Sequence, residues 1–242
     1  MARDLPLVLS LATSGLHGEI GLAHPDGRLE ILALGRGAAR GRGILPAVEA
    51  LLAAAGAAVR DLGAITVDVG PGSFTGIRVG VTTAKSLAWA LGLPISGVIS
   101  LAALARAAPP AREVIAVRDA GRGRLYHARF GPERDGRRAR LSIPGRDPAQ
   151  GVLSAATGSL VVGEEAPALL AGACPEGPGE ALEVHAGAAA VLAEARAEPE
   201  EGRADTAHVL VPVYLQVSAP ERRLAGEGDG EPAAQAGIDR PK

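Results

Sequence analysis

One order of elements occurs twice along this chain, and that recurrence constrains the fold more than any single motif. Apolar or alternating segments at 7–11, 19–23 and 29–34 are separated by Ser14-Gly15 and Pro25-Asp26-Gly27, which predicts a meander of three strands. A loop rich in glycine and arginine at 35–43 leads into a helix at 44–55, with Pro46 near its first turn and Gly56 past its end. Residues 64–69 predict a buried strand, 75–91 a long helix closed by Gly92 and Pro94, 94–99 another strand, and 101–107 a connecting helix. After Pro109-Pro110 the order returns. Strands are expected at 113–117, 125–130 and 139–143, a weak helix at 147–155, a strand at 160–162 and a helix at 164–171. A short strand at 182–184 and an amphipathic helix at 186–197 close the series. The halves share no sequence identity, so the repeat is one of topology.

Two βββαβα lobes are the layout of the actin, sugar-kinase and Hsp70 superfold, an α/β fold whose cleft lies between the lobes; a single doubly wound sheet is the alternative. The expected division is a first lobe at 1–108, a less regular second lobe at 109–217 and a disordered tail at 218–242, where too little apolar surface exists to offset ordering entropy. A chain of 242 residues, 47% of them hydrophobic, can bury a large core. A net charge of −2 argues against attachment to nucleic acid by bulk electrostatics. Of the 25 cationic residues 23 are arginine and asparagine is absent, a bias read first as G+C-rich codon usage. The lone Cys174 excludes an intramolecular disulfide and any multi-cysteine metal site. The apolar stretch 7–12 is too short for a signal peptide or a membrane span, so a soluble, cytoplasmic protein is expected.

The most informative segment is Gly70-Pro71-Gly72-Ser73-Phe74-Thr75-Gly76-Ile77-Arg78, where a strand runs into a glycine-rich turn that opens the long helix. Backbone amides at such a turn can bind an anion, although neither a Walker loop nor a dinucleotide fingerprint is present and a tight structural turn is the simpler reading. Along the helix Gly76, Gly80, Ala84 and Ala88 form a stripe of small residues, matched by Ala47, Ala50 and Ala54 on the preceding helix. Such faces permit close helix packing, within the lobe or against a partner.

The run from Gly70 to Pro94 resembles the signature of the TsaB family, also called YeaZ. Further stretches agree: Ile44-Leu45-Pro46, Ala116-Val117-Arg118-Asp119-Ala120, Gly123-Arg124-Leu125-Tyr126, Val161-Val162-Gly163-Glu164 and Pro212-Val213-Tyr214-Leu215. The resemblance implies a non-catalytic subunit that pairs with the TsaD-type enzyme installing threonylcarbamoyl on the adenosine beside the anticodon of tRNA. It also implies a TsaE-type ATPase in the assembly, ATP used by the complex but no cofactor bound by this chain alone, a homodimer in isolation, and a partner interface on the small-residue helix faces. Three departures stand out. The family's first strand ends Asp-Thr-Ser/Ala-Thr, where this chain reads Ala12-Thr13-Ser14-Gly15; Arg40-Gly41-Arg42 replaces a His-Ser-Glu run; and Arg124 stands where glutamate is common. A cleft poor in carboxylates would hold Mg²⁺ badly.

No catalytic constellation emerges. None of His17, His24, His127, His185 and His208 is spaced three or four residues from another, so no helix presents a histidine pair to a metal, and His17 and His24 are expected to face solvent. Ser73 lacks a nucleophile elbow. Asp119 is read as capping a turn, and Arg118, Arg122 and Arg124 as a solvated basic turn, with tRNA-phosphate contact the alternative. The competing functions are an ATP-dependent small-molecule kinase of the same superfold and a glycoprotease-like hydrolase.

Overall fold

The structure, a computed structural model, describes residues 6–35, 39–156, 158–174, 179–197 and 207–215. The tail expected at 218–242 lies outside the described residues. Strands β1 (Leu7–Ala12), β2 (Gly18–Ala23), β3 (Leu29–Gly35), β4 (Leu62–Gly70) and β5 (Ile95–Ile99) form the first sheet in the order β3-β2-β1-β4-β5. The meander β1–β3 is antiparallel, whereas β1, β4 and β5 run parallel, with Leu9 opposite Ile65 and Leu11 opposite Val67. A second sheet comprises β6 (Val114–Asp119), β7 (Arg124–Arg134), β8 (Arg137–Arg140), β10 (Leu160–Gly163) and β11 (Glu180–Glu183) in the order β11-β10-β6-β7-β8, with β9 (Gly145–Pro148) pairing β7. Two sheets exclude the single doubly wound alternative.

The helices are α1 (Ala39–Ala54), α2 (Phe74–Leu91), α3 (Ser100–Arg106), α4 (Ala149–Ser154), α5 (Ala166–Ala173) and α6 (Ala188–Ala197). Strand β1 is buried along its whole length because it is covered on both faces. Leu7, Leu9 and Leu11 turn toward α1 and α2, while Val8, Ser10 and Ala12 turn toward α3 and α6. The same alternation divides β6: Val114 and Ala116 join the α3/α6 layer, and Ile115 and Val117 pack under α4 and α5. The order of layers is therefore α1/α2, first sheet, α3/α6, second sheet, α4/α5. Helix α6, from the second half of the chain, lies on the first sheet, so the central layer belongs to both halves.

Three expectations need correction. The loop expected across 35–43 is helical from Ala39, which places Pro46 inside α1 rather than near its first turn. Pro46 is exposed, and its ring supplies no N–H to the helical ladder. The strand expected at 139–143 is two short strands, β8 and β9, on either side of Pro144, which has no N–H to donate to a ladder. Leu141 and Ile143, read as apolar strand residues, stand 54% and 81% exposed.

Candidate functional site

The carboxyl ends of β1, β4, β6 and β10 converge between the two sheets, where this superfold opens its cleft. The central group is Asp68, a fully buried carboxylate near the end of β4 that sequence reasoning missed. It accepts hydrogen bonds from the backbone N–H groups of Thr13 (2.9 Å) and Ser14 (3.0 Å), from the Ser14 hydroxyl, and at 3.4 Å from the Thr13 hydroxyl. A charge cannot be buried in an apolar strand without such partners. Asp68 thus pins the turn after β1, and Ala12, the position of the missing aspartate, is packed into the apolar layer below it.

From Ser14 the network crosses to the second sheet. Arg118 Nη1 donates to Ser14 Oγ at 2.6 Å, and Arg118 Nη2 lies 3.4 Å from Glu164 Oε1. Both side chains are at least nine-tenths buried. The other Glu164 oxygen accepts from the Leu16 N–H at 2.7 Å, and Ser100 Oγ is 2.9 Å from Ser14 Oγ. Glycine is required where these groups approach: a Cβ at Gly15 would stand 2.0 Å from Glu164 Oε1, and one at Gly72 would stand 2.4 Å from the Ser14 carbonyl. Arg118 is therefore a bridge between sheets and no part of a solvated basic turn. Asp119 caps the following turn, accepting from Gly121 N–H at 2.8 Å, as expected.

The cleft is not poor in carboxylates, since Asp68, Asp119, Glu164 and Glu165 gather there. The hollow that remains has a volume of about 200 Å³, below the roughly 300–1,000 Å³ of ordinary ligand pockets. Asp119, Glu164 and Glu165 around it outnumber Arg118, its one cation, so a polyphosphate would meet net repulsion. Among the described residues no group of three or more His, Cys, Asp or Glu is arranged for a metal ion.

The glycine-rich turn has a structural role. Ser73 Oγ accepts the Gly76 N–H at 3.2 Å and so caps α2, and the Ser73 N–H donates to the Ser14 carbonyl at 2.8 Å. Gly70, at φ 98°, leaves room for Ile77 and for the Val213 carbonyl, and Pro71 beside it is buried. Phe74 and Tyr214 pack with ring centroids 5.0 Å apart, and the Arg78 guanidinium stacks 3.8 Å from the Phe74 centroid. Residues 207–215 lie along this edge, tied by Lys85 Nζ to the Leu210 carbonyl (2.7 Å) and by Val213 N–H to the Val69 carbonyl (2.8 Å).

The small-residue stripe on α2 points inward. Gly76, Gly80, Ala84 and Ala88 are all buried, and a Cβ at Gly80 would stand 2.0 Å from Thr13 Oγ1. Ala47 of α1 is buried as well. These five positions let the helices approach the sheet closely and are out of reach of a partner, contrary to the expectation. Ala50 and Ala54 are exposed. The outward stripe of α2 is instead Thr75, Arg78, Thr82, Ser86 and Trp89, with Trp89 70% exposed, and Leu45 of α1 is 52% exposed. Sequence reasoning passed over Trp89, although a tryptophan three residues from Ser86 on that face could have been found from helical spacing alone.

The remaining candidates are dispersed. His24 is buried between Glu30 (3.0 Å) and Arg28 (3.1 Å), not solvent-facing as expected, whereas His17 is exposed and meets the His185 ring edge-on. His127 pairs with Asp147, and Cys174 Sγ lies 3.4 Å from Ser154 Oγ, with no histidine or carboxylate bonded to it among the described residues. No described helix is long and apolar enough to cross a membrane.

Comparison with known proteins adds the family. The model of the TsaD family, tRNA N6-adenosine threonylcarbamoyltransferase, matches residues 37–138. The tRNA threonylcarbamoyladenosine biosynthesis protein TsaB of Bacillus subtilis is 48% identical over 83 residues, 34% of this chain and 36% of that protein. Its namesake in Escherichia coli is 38% identical over 96 residues, 38% of this chain and 42% of that protein. The chain thus spans well under half the length of the curated relatives it matches. YeaZ from Pseudomonas aeruginosa superimposes with a TM-score of 0.76 at 26% identity, covering 87% of this chain and all of that one. Sequence relatives named TsaB and a structural neighbour named YeaZ together support the assignment of this actin-like α/β chain to the TsaB/YeaZ family.

Proposed function

We propose that the chain is a non-catalytic scaffold subunit in tRNA threonylcarbamoyladenosine biosynthesis, pairing through the outer face of α1 and α2 with a TsaD-type enzyme. One observation carries the reading: Ser14, Arg118 and Glu164 at the cleft are spent on holding the two sheets together, while α1 and α2 leave Leu45, Ala50, Ala54 and Trp89 exposed. A large exposed aromatic on a helix suits an anchor in a helix-to-helix interface. The likeness of residues 37–138 to the TsaD family model supports pairing between two related subunits through equivalent helices. A cleft bridged by Arg118 and Glu164 weighs against the kinase reading, and the dispersed histidines weigh against the hydrolase. In the same reading, ATP and a TsaE-type ATPase act at the level of the complex, tRNA reaches the enzyme there, the isolated chain forms a homodimer, and the setting is the cytoplasm.

The test is reconstitution. A TsaD-type enzyme with its ATPase, threonylcarbamoyl-adenylate and tRNA should modify tRNA only when this chain is added, and the chain alone should neither modify tRNA nor hydrolyse ATP. Full activity without the chain, or ATP turnover by the chain alone that Asp119→Ala abolishes, would refute the proposal.

A further inference from the structure

Arginine is concentrated in one segment to a degree that codon usage does not produce. Residues 118–146 hold nine arginines and three acidic residues, whereas 147–197 hold one arginine and seven acidic residues. The structure divides the nine by role. Arg118 bridges the sheets and Arg129 pairs with Glu113. Arg138 is buried and donates to the carbonyls of Ala108, Pro109, Arg112 and Gly131, which rivets the β7–β8 hairpin to the end of α3. Arg106 Nη1 adds a bond to the Gly136 carbonyl at the hairpin's turn.

The hairpin held in this way displays three further arginines. Arg134, Arg137 and Arg140 are exposed, and none has a carboxylate partner among the described residues. Arg134 and Arg137 are direct cross-strand partners on either side of the Asp135-Gly136 turn. Like charges placed directly opposite destabilise a hairpin. Guarding β8 as an edge strand would need a single charge and no opposed pair. Leu141 and Ile143, both exposed, follow at once and set apolar surface beside the charges.

We propose that the edge of this hairpin, where Arg134 and Arg137 oppose each other and Arg140 follows on the other face of β8, contacts the phosphate backbone of an RNA. Guanidinium groups match phosphate oxygens in a bidentate fashion and keep their charge at any physiological pH. A hairpin held in this way presents them without a backbone ordering cost, and the apolar neighbours suit contact with unstacked bases. The choice of RNA over DNA rests on the function proposed above; the electrostatics do not.

The experiment measures binding of an unmodified tRNA transcript by fluorescence anisotropy across a salt series. It compares the full chain, the variant Arg134→Gln/Arg137→Gln/Arg140→Gln and the control Arg60→Gln, with pairing to the TsaD-type enzyme measured on the same samples. The triple variant should bind tRNA at least tenfold more weakly and lose roughly two to three units of salt slope, while still pairing with the enzyme. Arg60→Gln should bind like the parent. Arg137→Gln alone should melt level with the parent or higher, since a repulsion is removed, and its weaker tRNA binding keeps the test valid if the triple variant fails to fold. Three results would overturn the surface: no tRNA binding by the parent chain at low salt, equal losses in the triple variant and the control, or binding to anionic phosphatidylserine vesicles without binding to tRNA. Loss of enzyme pairing by the parent chain itself would instead strike the function proposed above.

Discussion

The cleft between the sheets and the outer face of α1 and α2 are built from opposite kinds of residue, used in opposite ways. In the cleft, Asp68, Arg118 and Glu164 are buried and satisfied by one another and by the turn after β1. On the outer face Trp89 and Leu45 stand in solvent. Charged groups inside thus serve architecture, and in the function proposed above the apolar groups outside serve recognition. Across this cleft Arg118 and Glu164 join the two sheets through Ser14 and Leu16.

The contrast can be broken most forcefully at Glu164. Glu164→Ala leaves Arg118 buried without its counter-ion, and truncating one partner of such a pair costs about 3–5 kcal/mol. The chain should melt roughly 2–4 °C lower per kcal/mol lost, and calorimetry that finds an unchanged melting temperature would return Glu164 to the status of a free cleft carboxylate. Asp68→Ala should follow closely, because each stranded donor at Thr13 and Ser14 costs about 1–3 kcal/mol.

Gly80 sharpens the comparison from the inner side of the same helix. Gly80→Ala drives a methyl group into Thr13, an overpacking worth about 1–3 kcal/mol. Its effect should appear in thermal unfolding, with pairing affinity per folded molecule unchanged. A loss of pairing at constant stability would show that the small stripe is an interface after all.

The smallest effect belongs to the surface pair Glu113–Arg129. The hydrogen bond from Arg129, joined by one from Ser159, holds the Glu113 carboxyl below its usual pKa against the opposing effect of burial. A carboxylate whose pKa is lower in the folded chain stabilises it above the unfolded value, and loses that contribution as pH falls through the folded value. Glu113→Gln should therefore cost less than about 1 kcal/mol at pH 7, and parent and variant should converge in stability below the carboxylate range. A gap that persists at low pH would assign the difference to packing.

The first sheet was legible because its strands are short apolar runs bounded by strong turns, and α2 because Gly92 stops it with φ at 65°. The start of α1 was not, since Gly41 and Gly43 speak for a loop until packing of Ile44, Val48 and Leu51 on the sheet overrides them. The cleft was half legible. Arg118 and Glu164 lay in recognised stretches, but their pairing joins residues 46 apart across two strands, which no local pattern reveals. Asp68 did carry a signal: a lone charge inside the buried run of β4 has to find partners. The inward turn of the α2 stripe was hidden because small residues suit a close sheet as well as a close helix.

The contrast between inside and outside comes down to the affinity of this chain for a TsaD-type enzyme, measured by titration calorimetry for the parent and for Trp89→Ala, with melting recorded in parallel. A central aromatic anchor is worth at least about 2 kcal/mol, so Trp89→Ala should weaken pairing tenfold or more and leave the melting temperature within a degree of the parent. Undiminished affinity with Trp89 removed would contradict the account and move the recognition surface away from α1 and α2.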